Sequence, residues 1–118
     1  MEREAEILHA AYRNFNARNL DAVLALMAGD VQWPNGWEGG YVHGHEGVRD
    51  YWTRQWAVLD PKVEPEEIHI LEDGRFAVEV HQIVHDHEGK LLADQRVRHI
   101  YRLRNGLIER MDIEEVIS

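Results

Sequence analysis

Leu103-Arg104-Asn105-Gly106-Leu107-Ile108-Glu109-Arg110-Met111-Asp112-Ile113 cannot be laid out as a flat hairpin strand with one apolar face. Asn105-Gly106 marks a tight turn between two strands. Beyond it the apolar residues fall at Ile108, Met111 and Ile113. The first step is three residues, whereas a regular strand returns to the same face every two. A bulge near Glu109 and Arg110 would bring Met111 and Ile113 back to the face of Ile108. Bulges bend sheets, and a bent sheet leaves a hollow to be filled.

Upstream, the pattern extends into a meander. Candidate strands run over Val63 to Leu71, Arg75 to Asp86, Leu91 to Arg104 and Leu107 to Val116. Asp73-Gly74 and His87-Glu88-Gly89-Lys90 provide the other turns. The first half reads as helical. Ile7, Leu8, Ala11, Tyr12 and Phe15 recur at helical spacing over Glu2 to Ala17. Asn19 is a candidate N-cap for a second helix with Leu20, Val23, Leu24 and Met27 on one face, stopped by Gly29-Asp30. Val31-Gln32-Trp33 is a short strand cut off by Pro34. A glycine-rich loop, Asn35 to Gly44, precedes a third helix with Val48, Tyr51, Trp52, Gln55 and Trp56 on one stripe. That helix must end before Pro61. Helices segregated beside an antiparallel sheet define the α+β class.

With 118 residues the chain is expected to form one domain, 1–118. It has no cysteine and a net charge of −9, with no basic block. Disulfide and thiolate chemistry are excluded, and neither nucleic acid nor anionic lipid is an expected partner. Met1 leads directly into Glu2-Arg3-Glu4 with no apolar leader or spanning run, so a cytoplasmic protein without a membrane segment is expected.

Two stretches resemble the nuclear transport factor 2-like superfamily and, within it, the SnoaL-like proteins. One is Gly44-His45-Glu46-Gly47-Val48-Arg49-Asp50-Tyr51-Trp52, similar to the family's glycine-led third helix. The other is Ile100-Tyr101-Arg102-Leu103-Arg104-Asn105-Gly106-Leu107-Ile108, similar to its C-terminal hairpin. The resemblance covers essentially the whole chain. It implies a conical half-barrel, a strongly bent and mainly antiparallel sheet wrapped around three N-terminal helices, with a pocket between the layers. It also implies a homodimer through the outer sheet face. It implies no single activity, because this fold hosts isomerases, cyclases, dehydratases, hydrolases and proteins without a reaction.

In the ketosteroid isomerase branch, the position matching His99 is an oxyanion-stabilising acid. The branch's general base falls near Asn35 and its oxyanion tyrosine near Ala11. Asn35 is no useful base and Ala11 has no donor, so that mechanism is not expected. The aspartate–arginine–aspartate set of the epoxide-hydrolase branch has no inward counterpart, since Arg110 and Asp112 read as outward.

Parity on Leu91 to Arg104 turns Val97, His99, Tyr101 and Leu103 toward the core, and Arg96, Arg98, Arg102 and Arg104 away. His99 is the candidate proton-transfer residue. The preceding strand admits two readings. Alignment of the family on Gly89 turns Glu79, His81 and Ile83 inward, where Glu79 and His81 would assist His99. The apolar alternation turns Phe76, Val78 and Val80 inward instead; facing outward, these three would form a dimer surface. Trp33, Asn35, Tyr51, Trp52, Trp56, Ile83, Val97, Tyr101, Met111 and Ile113 are the candidate binding residues, and Trp37 is a further candidate at the pocket mouth. They suit a small apolar, ring-shaped molecule. Eight histidines raise the question of a metal. His81 and His85, however, lie roughly 13 Å apart along a strand, and no pair has a carboxylate at ligand spacing. No metal and no cofactor is expected. The functional expectation is a small-molecule-binding protein, an acid/base enzyme in the first reading and a non-catalytic binder in the second.

Overall fold

A computed structural model describes residues 2–36 and 38–115. The elements run α1 (Glu2–Asn16), α2 (Leu20–Leu24), β1 (Met27–Pro34), β2 (Tyr41–His43), α3 (Gly44–Val58), β3 (Leu59–Ile70), β4 (Phe76–Asp86), β5 (Leu91–Arg104) and β6 (Leu107–Glu115). Three helices pack on one six-stranded sheet in the order β2-β1-β6-β5-β4-β3. The sheet is mixed, because β1 runs parallel to β6 while every other neighbour is antiparallel. It is curled without closing.

The curl has identifiable causes. On β6, Tyr101 faces Met111 and Arg102 faces Arg110, but Leu103 faces Ile108. Glu109 is the extra residue, and it places Ile108, Met111 and Ile113 on one face. The hairpin that precedes it turns on Asn105 and Gly106, both at positive φ (53° and 76°), as a primed turn requires. A second bulge sits on β5, where Leu92 is skipped between the pairs His85–Leu91 and Val84–Ala93. A third sits at Glu66 on β3.

Several element boundaries differ from the sequence reading. The second helix stops at Leu24, and Met27 opens a strand instead, because the Ile108 N–H donates to the Leu26 carbonyl at 2.8 Å and zips β1 onto β6. Asn19 precedes α2 but makes no side-chain cap bond. The glycine-rich loop contains β2, which pairs with the end of β1. The strand after α3 starts at Leu59, so Pro61 and Pro65 both lie within β3. Their missing N–H groups are tolerated because β3 is a sheet edge. Gly44 leads α3 at φ 72°, and a Cβ there would stand 3.3 Å from the Gly29 carbonyl oxygen. Only glycine combines that backbone with that approach. Trp37 and Val116 lie outside the described residues.

The core forms where α1, α2 and α3 meet the concave face. Leu8, Val23, Val31, Val48, Val78, Val80, Tyr101 and Ile108 are buried within it. Val78 pairs with His99 and Val80 with Val97, so these residues share the inner face. The inward placement of Glu79, His81 and Ile83 is thereby corrected: they lie on the outer face, paired with Arg98, Arg96 and Asp94. The Leu92 bulge is the reason. Counting back from the Gly89 turn without it pairs Glu79 with Val97; the extra residue slips the register by one and flips every side chain. Phe76, Val78 and Val80 therefore offer no outer apolar surface for a dimer.

Candidate functional site

Between α1, α3 and the bent sheet lies a cavity of about 620 Å³. Trp33, Asn35, Tyr51, Trp52, Val97, His99, Tyr101, Met111 and Ile113 from the sequence analysis all line it. Trp56 does not. It stacks on Trp52, with ring centroids 5.7 Å apart, and the Arg18 guanidinium lies over its ring, 5.2 Å from the centroid. Glu79, His81 and Ile83 are absent from the lining for the register reason given above. Glu79 binds Arg98, with Arg98 Nη2 2.7 Å from Oε1. His81 Nε2 lies 2.6 Å from Asp94 Oδ1. Two further histidines are also dispersed: His45 reaches the Met27 carbonyl and His87 that of Trp56.

The apolar wall is built from α1, β1 and α3. Trp52 meets Phe15 and Trp33 edge-on at 5.1 and 5.3 Å. Asn35 shapes the mouth. Its side-chain Oδ1 accepts from the Glu38 N–H at 2.7 Å, and its Nδ2 donates to Glu38 Oε1 at 2.9 Å. Glu38 is in turn held by Arg54 at 2.6 Å, which keeps its carboxyl below the usual range.

The polar floor is a chain of three side chains. The Tyr101 hydroxyl donates to the Tyr12 hydroxyl at 2.8 Å, and Tyr12 reaches His99 Nδ1 at 2.8 Å. In the opposite direction the Tyr101 proton would have no acceptor among the described residues. With the Tyr101 hydroxyl donating to Tyr12, Tyr12 donates to Nδ1, and the imidazole proton is assigned to Nε2. No described group bonds to Nε2, and it is not a sealed orphan, so it faces the cavity. Tyr12 was legible only as a core residue of the first helix. The family resemblance put an oxyanion tyrosine near Ala11; the buried hydroxyl on this helix belongs to Tyr12, the next residue, and it is bonded to His99 and Tyr101.

Burial sets the protonation of all three groups. It pushes Tyr12 and Tyr101 well above the ordinary phenol range. It depresses His99, which is 7% exposed, from 6.5 to about 4. The ring is neutral at physiological pH: a poor base, but a good N–H donor. Stability follows. It is fully present above pH 6.5, where both folded and unfolded imidazoles are neutral. It is lost as pH falls toward 4, because the unfolded ring takes up a proton first. The loss between about pH 7 and about pH 4.5 is expected to be roughly 2–3 kcal/mol. Urea unfolding of His99→Leu should show a profile shallower by that amount; parallel profiles would contradict the neutral ring.

The described lining contains no Asp, Glu, Lys or Arg. Its polar side-chain groups are hydroxyls, one imidazole, the indole N–H groups of Trp33 and Trp52, and the amides of Asn35, Gln55, Gln82 and Gln95. Such a cavity suits an uncharged guest, because a buried ion would find no counter-charge.

The model of the SnoaL-like domain matches residues 8–111. The chain belongs to the SnoaL-like domain family. No curated protein matches it by sequence. Among solved structures, a nuclear transport factor 2-like protein of unknown function from Burkholderia pseudomallei is 24% identical, with TM-score 0.84, covering 98% of this chain and 92% of that one. TerC co-crystallised with polyporic acid is 26% identical, with TM-score 0.83, covering 97% and 92%. A Mycobacterium tuberculosis protein in complex with estradiol-17β-hemisuccinate is 23% identical, with TM-score 0.79, covering 92% and 90%. Among the described residues of this SnoaL-like chain, no helix is long and apolar enough to cross a membrane.

Proposed function

We propose that this SnoaL-like protein binds an uncharged, apolar, ring-shaped small molecule and holds its carbonyl oxygen on the Nε2–H of His99. The observation that carries the reading is the Tyr101–Tyr12–His99 chain, which occupies Nδ1 and leaves a single donor turned to an aromatic hollow. The ring compounds in the TerC and mycobacterial structures support a ring-shaped guest; both carry an acidic group, so the neutrality of the guest rests on the uncharged lining of this cavity. A catalytic role for His99 as general base fits poorly with a ring that protonates only near pH 4. A second reading keeps catalysis through the same N–H. A fixed donor aimed at a developing oxyanion stabilises it, as in an enolising isomerase or cyclase. A homodimer is part of the proposal; the family resemblance motivates it, and sedimentation reads it.

Calorimetry with fluorenone and with a fluorenone carboxylate tests the binding. The neutral ketone is expected to bind with Kd on the order of 1–100 μM. The carboxylate is expected to bind at least about tenfold more weakly, because its charge would be desolvated without a partner. No binding of the ketone, or preference for the anion, overturns the reading.

A further inference from the structure

The inner wall of the cavity changes character along β4 and β5. Paired residues share a face, so successive rows facing the hollow are Gln82 with Gln95, Val80 with Val97, and Val78 with His99. An amide row and an imidazole row thus flank an apolar one. Gln95 and His99 are four residues apart on one strand, which separates their Cα atoms by about 13 Å. Gln82, Gln95, Val97 and His99 all line the same cavity. Gln95 Nε2 donates to Gln82 Oε1 at 3.3 Å. That bond leaves the Gln82 amide nitrogen and the Gln95 carbonyl oxygen uncommitted, so the pair can serve either an acceptor or a donor. The charged neighbours in sequence do not compete for this space. His81, Arg96 and Arg98 point to the opposite face, where Asp94, Glu66 and Glu79 hold them.

We infer that the Gln82–Gln95 pair is a second recognition point that fixes the far end of the ligand. The guest is then an elongated, uncharged ring molecule with an oxygen function at each end: an acceptor for His99 and a hydroxyl or carbonyl for the amides. This rests on the binding reading above and adds the length and polarity of the guest.

The test compares para-acetylbiphenyl, which carries one oxygen end, with its para′-hydroxy derivative, which carries two. Calorimetry on the wild-type protein is expected to show the hydroxylated probe binding roughly tenfold more tightly. In Gln82→Leu/Gln95→Leu the ratio of the two affinities is expected to fall to about one, whatever the substitutions do to the apolar binding that both probes share. Thermal unfolding verifies that the double variant is folded, and Gln95→Ala, at the exposed member of the pair, gives the same comparison if it is not. Equal affinities in the wild type, or an advantage that survives the substitutions, overturns the amide pair and leaves the binding reading standing. Binding of neither probe to the wild type overturns both.

Discussion

Trp52→Ala is expected to destabilise the fold by about 3–5 kcal/mol, the range for deleting a large aromatic from a packed interior. Trp52 is 2% exposed and touches three aromatic neighbours, Phe15, Trp33 and Trp56, with ring centroids 5.1–5.7 Å away. It forms the partition between the core and the cavity. Its removal leaves those rings without a shared partner and joins an existing hollow to a new void, so collapse around the gap recovers little. A domain of this kind holds about 5–15 kcal/mol in total, and the variant approaches the threshold of folding. The midpoint of thermal unfolding, followed by circular dichroism, is expected to fall by roughly 15–25 °C. Trp52→Phe, which keeps a ring against Phe15, should lose less than half as much. A fall under about 4 °C for the alanine variant, near 1 kcal/mol, would mean that the partition is not what holds α3 to the sheet.

His99→Leu is expected to weaken fluorenone binding by about ten- to a hundredfold, since the ketone then enters the cavity without a donor while losing its bond to water. Tyr12→Phe should weaken it by a smaller factor, roughly three- to tenfold. The phenol does not touch the guest in this account. It acts by holding Nδ1, and without it the proton is free to occupy either ring nitrogen. Tyr12→Phe also strips the Tyr101 hydroxyl and His99 Nδ1 of their shared partner, at a stability cost of about 1–3 kcal/mol. A double-mutant cycle separates positioning from general damage. Because Tyr12 works through His99, the binding losses should not add: the double variant should bind like His99→Leu alone. Additive losses would show that Tyr12 contacts the guest itself.

Much of this arrangement is visible in the chain, and its failures have physical causes. The three-residue step from Ile108 to Met111 announces the bulge at Glu109, because an apolar face interrupted by one residue leaves few other solutions. The inward turn of His99 follows from the same alternation. The bulge at Leu92 leaves no such mark. Leu91 and Leu92 are both apolar and both exposed, so hydrophobicity is indifferent to which one is skipped. That indifference put Glu79 and His81 on the wrong face when the register was counted from the turn. β2 is three residues long and mostly exposed, too short to carry an alternation. Tyr12 was hidden for a different reason. On a helix stripe with Leu8 and Phe15, a tyrosine reads as bulk, and only the ring brought opposite it by β5 makes its hydroxyl chemically relevant.

The protonation of one ring carries the functional account, and nitrogen-15 NMR of the histidine side chains reads it directly. His99 is expected to show the neutral Nε2–H tautomer from about pH 8 down to about pH 5, with Nε2 shifting when fluorenone is added and Nδ1 keeping the signature of an accepted hydrogen bond. A ring that titrates near 6.5, or carries its proton on Nδ1, would contradict it.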